Sequence, residues 1–195
     1  MTTPPTSDPP RPGAGNPGPD RPERQSAFRT PHSAFHRLLA YRRLWLLGAA
    51  VLAFDQLTKY WISVHLPFGS YGPAGRAVLP GFFNLVHVGN TGAAWSMFAG
   101  RSVVLAGLAA VTLLAIHFWR RQLGLREPAA QLAFGLLCGG IVGNLVDRLA
   151  YGHVIDFIDL HFGAYIYPTF NVADSAICVG VFWYVLWSLR QPVHE

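Results

Sequence analysis

The stretch Gly139-Gly-Ile-Val-Gly-Asn144-Leu-Val-Asp147-Arg148 closes an apolar run, and the segments Val154-Ile-Asp156-Phe-Ile-Asp159 and Asn171-Val-Ala-Asp174 follow it. The aspartates of these three segments are the only acidic residues between positions 128 and 194. Ionised side chains inside or beside hydrocarbon are costly and rare, so acids in such places are candidates for function. The stretch therefore predicts a membrane-embedded fold with a site built from carboxylates.

The composition of the whole chain is typical of a small membrane protein. Of its 195 residues, 51% are hydrophobic and 13% are charged, which is more apolar than an ordinary soluble domain. The net charge of +5 does not indicate a nucleic-acid partner, because the arginines gather before the first apolar run and between two later runs. Cys138 and Cys178 lie in apolar spans without ligand spacing, so neither a disulfide framework nor a zinc site is predicted.

The first forty residues differ in composition from the rest of the chain. Residues 1–40 carry nine of the fifteen prolines and have no periodic apolar face, which predicts a disordered cytoplasmic tail rich in Pro and Arg. The apolar run that follows is too long for a secretory signal and lacks a convincing cleavage site, so it is expected to remain as an anchor. Residues 41–190 form the predicted four-span membrane domain, and residues 191–195 a cytoplasmic C-terminal end.

Four apolar runs are each close to the roughly 20 residues that a bilayer core requires. They cover residues 43–64, 102–119, 129–149 and 172–189. The positive-inside rule places the tail, the loop 120–128 and the end near Arg190 in the cytoplasm, so both termini are expected there. Residues 65–101 and 150–171 are then outer loops, and alternation from Phe83 to Val88 predicts a short sheet in the first. The predicted fold class is an all-α polytopic membrane protein, with four transmembrane helices and a small extracytoplasmic β cradle.

The polar residues of the spans are predicted to reach one depth in the bilayer. With a rise of about 1.5 Å per residue, Asp55 and Lys59 lie roughly 20 to 25 Å along the first span, near its outer end. The same leaflet is reached by polar residues at the ends of the later spans, namely Asn144, Asp147, Arg148 and Asp174. Accidental polar residues would be scattered, so this convergence indicates a common site.

Each polar group also has a structural interpretation. Asp55 and Lys59 are spaced i, i+4 with the acid first, the favourable order for a helical ion pair. Asp147 or Asn144 could hold Arg148 in place, since the three share a helix face, and we favour a supporting role for them. Small residues recurring every four positions predict close helix packing, and these are Gly135, Gly139 and Gly143 in the third span and Ala176 and Gly180 in the fourth.

Asp174 suits both a capping and a catalytic role. Asn171 is a good N-cap, and Asp174 then takes the N3 position, where the helix dipole favours an ionised carboxylate. A second carboxylate brought alongside would have to hold a proton, because like charges resist joint ionisation. Asp156, among apolar neighbours, suits that role better than Asp159, which lies nearer the polar His161. One acid and one base can activate water and protonate a leaving amine.

Other interpretations of the acids remain open from the residues alone. His153, Asp156, Asp159 and His161 could form a metal cluster, but no zinc signature accompanies them and no metal is expected. A small proton-coupled transporter or channel subunit could also use membrane acids, although the chain has no internal repeat. A catalytically silent membrane scaffold would tolerate the loss of both Asp156 and Asp174.

Five motifs follow one another along residues 42–189. They are Asp55-Gln-Leu-Thr-Lys59, Asn84-Leu-Val-His-Val-Gly-Asn90-Thr-Gly92-Ala-Ala-Trp-Ser96, Gly139-Gly-Ile-Val-Gly-Asn144-Leu-Val-Asp147-Arg148, Val154-Ile-Asp156-Phe-Ile-Asp159 and Phe170-Asn171-Val-Ala-Asp174-Ser. In kind and order they resemble the motifs of the lipoprotein signal peptidases, also called signal peptidase II. Trp95 stands where that family usually has Phe, which keeps an aromatic side chain at this position.

The resemblance implies an aspartic endopeptidase of the bacterial plasma membrane that cleaves diacylglyceryl-modified prolipoproteins just before the lipobox cysteine. It implies Asp156 and Asp174 as the catalytic pair, an active site at the outer face, an outer loop that closes over substrate, and no cofactor. The implied partners are the prolipoprotein and membrane lipids, and the oligomeric state is left open. Positions implied to bind substrate or to support the site are Asp55, Lys59, Asn90, Gly92, Asn144, Asp147, Arg148 and Asn171.

Overall fold

The computed structural model of the protein describes residue 1, residues 39–93 and residues 97–191. Most of the predicted tail, the Trp95 position and residues 192–195 lie outside the described residues. Four long helices occupy the predicted spans, with both ends of each helix within two residues of the expected positions. They are α1 Arg42–His65, α2 Ser102–Trp119, α3 Pro128–Tyr151 and α4 Val172–Ser188.

The four helices differ in how well they suit a bilayer. Within the described part of the chain, α2 and α3 are long and apolar enough to cross a membrane, and α4 is apolar but has only 17 residues. Helix α1 has 24 residues and carries the charged Asp55 and Lys59 beyond its midpoint. The fold is thus a four-helix arrangement with two clearly apolar helices.

Helix α3 packs between α1 and α4 through its small residues. A Cβ atom at Gly139 would lie 2.7 Å from the carbonyl oxygen of Gly48 in α1, so only glycine permits this approach. A Cβ atom at Gly180 of α4 would lie equally close, at 2.7 Å, to the carbonyl oxygen of Ala133 in α3. The predicted close packing along these small residues is therefore confirmed.

An antiparallel sheet covers one end of the helices. Its strands lie in the order β1 Arg76–Leu79, β2 Phe83–Asn90, β3 Val154–Phe162 and β4 Tyr165–Ile166. The strand predicted around Phe83 to Val88 is present as β2. The sheet is held against α1 by a buried cluster of Ile62, Ile155 and Phe157.

Residues 150–171, predicted as an outer loop without strands, contain two strands of the sheet. Nine of these residues make up β3, which pairs with β2 so that Asp156 lies opposite Val88 and Asp159 opposite Asn84. Most of β3 is buried, and a buried backbone needs partners for its N–H and C=O groups, which the edge of β2 supplies. Both aspartates therefore lie on a strand whose backbone is held by β2.

The ends of the helices set the positions of the strand and of α4. Helix α3 stops at Gly152, which has a φ of 74° and donates its N–H to the Arg148 carbonyl. Helix α4 begins with a capping box, in which the Asn171 side chain accepts from the Asp174 N–H and the Asp174 carboxylate accepts from the Asn171 N–H. The predicted capping roles of both residues are confirmed.

Candidate active site

Asp156 and Asp174 are brought together from different elements at one cavity of about 540 Å³. Asp156 lies on β3 and is buried, whereas Asp174 lies in the first turn of α4 and is half-buried. Asn171 contacts both acids, because its Nδ2 donates to Asp156 Oδ1 at 2.7 Å and its backbone N–H donates to Asp174 Oδ2 at 3.2 Å. One residue at the start of α4 thus joins the two carboxylates.

Each of the two acids also accepts a hydrogen bond from the side-chain amide of an asparagine on another element. Asn90 of β2 donates from Nδ2 to Asp156 Oδ2 at 2.9 Å. Asn144 of α3 donates from Nδ2 to Asp174 Oδ1 at 2.8 Å. Hydrogen bonds from N–H donors stabilise the ionised form of a carboxylate without adding a positive charge. The pair is therefore held in place while its oxygens still line the cavity.

The environment of Asp156 favours its protonated form. Burial raises the pKa of this carboxyl to about 7, and the nearby charge of Asp174 acts in the same direction. The amides of Asn90 and Asn171 and the charge of Lys59 oppose the rise in pKa without cancelling it. Asp156 can consequently hold a proton near neutral pH, as a general acid must.

A second group of buried charges lies beside this pair on α1 and α3. Lys59 Nζ lies 2.8 Å from Asp55 Oδ2 and 2.8 Å from Asp147 Oδ2, and all three side chains are almost fully buried. The predicted ion pair of Asp55 and Lys59 is confirmed. We call these three residues the buried triad.

The buried triad is tied to the elements that carry the catalytic candidates. Asp55 Oδ1 accepts the N–H of Ala173 at 2.9 Å, and Asp147 Oδ2 accepts the N–H of Ile155 at 3.2 Å. Lys59 Nζ donates to Asn144 Oδ1 at 3.0 Å, which orients the amide so that its Nδ2 faces Asp174. The triad thus fixes the start of α4, the start of β3 and one amide of the site.

Sequence reasoning missed Gln56, which completes the surroundings of the buried triad. Its Nε2 donates to Asp147 Oδ1 at 2.9 Å and lies 3.2 Å from Asp55 Oδ2. A polar amide next to Asp55 within an apolar run was the available signal. Two carboxylates share the single positive charge of Lys59, and the Gln56 amide gives both of them a further N–H donor.

The proposed pairing of Asp147 with Arg148 was wrong. Asp147 faces Lys59, while Arg148 donates from Nη2 to the Gly92 carbonyl at 2.9 Å and from Nη1 to the Asn144 carbonyl at 3.4 Å. Consecutive residues of a helix point about 100° apart, and the side chains of Asp147 and Arg148 accordingly contact different neighbours. Asn144 does contact Arg148, as the other alternative predicted, but it does so through its backbone carbonyl.

Asn90, Gly92 and Arg148 form one edge of the cavity. The Gly92 N–H donates to Asn90 Oδ1 at 2.8 Å, and the Gly92 carbonyl accepts from Arg148. Apolar residues supply much of the remaining wall, including Val154, Leu160, Phe162, Phe170 and Ile177. The predicted site residues Asn90, Gly92, Asn144 and Arg148 therefore lie at the cavity together with the two acids.

The four side chains of the possible metal cluster have other contacts in the structure. Within residues 39–93 and 97–191, no group of three or more His, Cys, Asp or Glu side chains is arranged to hold a metal ion. His153 instead contacts the rings of Phe68 and Tyr151. Asp159 lies in the segment expected to be an outer loop, but it is buried on β3. Its carboxylate accepts a hydrogen bond from Asn84 at 3.2 Å and lies 2.7 Å from His161 Nε2.

Comparison with known proteins identifies the family of the chain. The family model described as signal peptidase (SPase) II matches residues 47–190. The lipoprotein signal peptidase of Oleidesulfovibrio alaskensis is 42% identical over 148 residues, which are 73% of this chain and 92% of that protein. The lipoprotein signal peptidase of Syntrophotalea carbinolica is 39% identical over 162 residues, which are 82% of this chain and 98% of that protein.

A solved structure supports the same conclusion for the fold. A bacterial membrane enzyme determined by the in meso method at 2.3 Å resolution superposes with a TM-score of 0.68 and 31% identity, covering 77% of this chain and 92% of the other. Peptidase membership decides against the transporter and scaffold alternatives. The chain belongs to the signal peptidase II family and is a hydrolase of the aspartic peptidase class.

Proposed function

We propose that Asp156 and Asp174 are the catalytic pair of a peptidase that cuts diacylglyceryl-modified prolipoproteins just before the lipobox cysteine. Removal of signal peptides from prolipoproteins follows from membership of the lipoprotein signal peptidase family. The observation that carries the residue assignment is that two carboxylates from β3 and α4 line one cavity and share Asn171. No cofactor is needed for this chemistry.

The surroundings of the two acids support different protonation states. Asp174 accepts N–H donors from Asn144 and from the start of α4, which favour its carboxylate form. Asp156, whose pKa is raised to about 7, holds the proton. Asp174 takes a proton from water as the oxygen attacks the scissile carbonyl carbon, and Asp156 gives its proton to the carbonyl oxygen.

The resulting tetrahedral diol then breaks down, and the two acids return to their starting protonation states. The C–N bond breaks as the leaving nitrogen takes the proton held by Asp174, and one diol hydroxyl gives its proton to Asp156. The products are a signal peptide with a new carboxyl group and a lipoprotein with a free amine on its cysteine. The pair ends with the single proton with which it began.

The proposed topology follows from the charge distribution and the depth of the site. All four helices span the bilayer, both termini are cytoplasmic, and the sheet and the catalytic pair lie at the outer face. The acyl chains of the modified cysteine then stay in hydrocarbon, where the apolar walls near Ile177 and Phe162 receive them. The bilayer presents the scissile bond at the depth of the acids, which contributes to positioning.

The direct test uses purified full-length protein in detergent with a lipidated prolipoprotein, and the products are identified by mass spectrometry. Wild type is expected to release a lipoprotein that begins with the modified cysteine, and Asp174→Asn is expected to release none. Glu127→Gln is the matched control, because Glu127 is an exposed acid whose side chain caps nothing at the start of α3. Normal cleavage by Asp174→Asn, or a cut at another bond, would contradict the proposal.

A further inference from the structure

Asp159 has a carboxylate oxygen to which no described residue donates a hydrogen bond. Its side chain is only 3% exposed, and its Oδ2 is the oxygen that faces Asn84 and His161. Its Oδ1 is buried and has no hydrogen-bond partner among the described residues. A buried acceptor without a partner carries a desolvation cost that folding does not recover. Such an atom is suited to a donor that arrives from outside.

Asp159 also lines a second cavity, of about 410 Å³. Successive side chains of a strand point to opposite faces, so Asp156 and Asp159 face opposite sides of β3. Accordingly Asp156 lines the first cavity and Asp159 the second. A larger share of the wall is polar in the second cavity than in the first, and Thr91 belongs to the second cavity alone. The strand thus separates two cavities, each with a buried carboxylate.

The two cavities adjoin each other. They share five lining residues, which are Asn90, Gly92, Tyr167, Pro168 and Thr169. A chain held at Asp156 and Asp174 can therefore continue past this shared edge into the second cavity. The signal helix is apolar and suits the hydrocarbon of the bilayer, and the acyl chains suit the apolar first cavity. The segment after the cysteine leads towards water.

We propose that the second cavity binds the first residues of the mature lipoprotein segment, and that Asp159 Oδ1 accepts a hydrogen bond from a donor side chain there. The inference rests on the proposed function. It makes Asp159 a specificity-determining residue that favours Lys or other N–H donors in this segment. An acidic side chain would meet a like charge in a buried place and would be disfavoured.

The test is a set of synthetic diacylglyceryl prolipoproteins that differ only in the second, third or fourth residue, counting the cysteine as the first. Each position carries Lys, Gln or Glu in turn, and kcat/KM is measured with full-length enzyme in detergent. At one of the positions wild type is expected to prefer Lys over Glu by at least about tenfold, as expected for a charge-assisted hydrogen bond. Asp159→Asn should bring that ratio close to one while the Gln substrate is still cleaved.

His161→Gln is the matched control, because His161 contacts the other oxygen of the same carboxylate. It should keep the Lys over Glu preference. Asp159→Ser, which removes the carboxylate but keeps a hydroxyl group, replaces Asp159→Asn if thermal unfolding shows that the latter does not fold. Equal cleavage of all substrates by wild type, or an unchanged ratio in the Asp159 variants, would overturn the inference. If the proposed reaction itself were wrong, wild type would not cleave the Gln substrate either. Cleavage of the Gln substrate without a Lys over Glu preference would therefore contradict only the role of Asp159.

Discussion

The buried triad and the proposed catalytic pair each contain two carboxylates, but the two groups differ in the partners that these carboxylates have. In the triad, Asp55 and Asp147 share the positive charge of Lys59 at 2.8 Å each, and backbone N–H groups fill further positions. In the pair, the N–H donors that the described residues offer to Asp156 and Asp174 are neutral, and both acids line an open cavity. Buried acids that are neutralised within the protein support structure, whereas those left facing a cavity are available for chemistry.

The largest expected effect on stability comes from removing the lysine of the triad. Lys59→Met would leave two buried carboxylates without a cation, at a cost of about 3–5 kcal/mol in the free energy of unfolding. Thermal unfolding in detergent should show a strongly lowered Tm. A second change, Asp147→Asn in the Lys59→Met background, should restore part of the loss by removing one uncompensated charge. If Lys59→Met had the same Tm as wild type, the structural role assigned to the buried triad would be contradicted.

Helix packing beside the triad predicts a smaller effect. Gly139→Ala would place its Cβ 2.7 Å from the Gly48 carbonyl oxygen and 2.8 Å from Val51 Cβ, costing about 1–3 kcal/mol. Gly107→Ala on α2 is the matched control, since nothing lies within 4 Å of the added atom. We expect the Tm to fall for Gly139→Ala and to stay level or rise for Gly107→Ala. Equal Tm values for both variants would show that the contact between α1 and α3 is not tight.

The protonation of the catalytic pair should appear in the pH dependence of the reaction. The pKa of Asp156 is raised to about 7, so the acid form is in the majority below that pH and is lost above it. The value of kcat/KM should therefore fall about tenfold per pH unit on the alkaline side of pH 7. A rate that keeps rising between pH 7 and pH 9 would contradict the assignment of Asp156 as the acid.

The smallest predicted effect concerns the amide of Asn90. Asn90→Ala removes a hydrogen bond that lowers the pKa of Asp156, so that pKa should rise further. The alkaline limb of the pH profile should then move to higher pH by up to about one unit. Asn84→Ala provides the comparison, because Asn84 contacts Asp159 on the other face of β3 and should leave the limb unchanged.

Local features of the sequence predicted much of the fold. The four helices follow from apolar runs of suitable length, and the capping box from Asn171 and Asp174 three residues apart. The ion pair of Asp55 and Lys59 follows from their helical spacing. All of these depend on residues close together in the chain, where spacing determines which side chains can meet.

Features that depend on distant segments could not be predicted in the same way. Strand β3 forms because β2, far away in the sequence, offers it an edge, and nothing within residues 150–171 specifies that partner. Asp147 contacts Lys59 instead of Arg148 because the rotation of α3 against α1 decides which side chain it faces. Asp159 Oδ1, which lacks a partner among the described residues, likewise could not be recognised before both faces of β3 were known.

The most direct test of the contrast between pair and triad is the turnover per folded molecule of Asp156→Asn and Asp147→Asn, measured with the same lipidated prolipoprotein. Asp156→Asn should keep the Tm of wild type and lose about 10²- to 10⁴-fold in kcat. Asp147→Asn should lower the Tm, while its folded fraction keeps turnover within about tenfold of wild type. Undiminished turnover by folded Asp156→Asn, or complete loss of turnover by folded Asp147→Asn, would contradict the division of roles between the two groups.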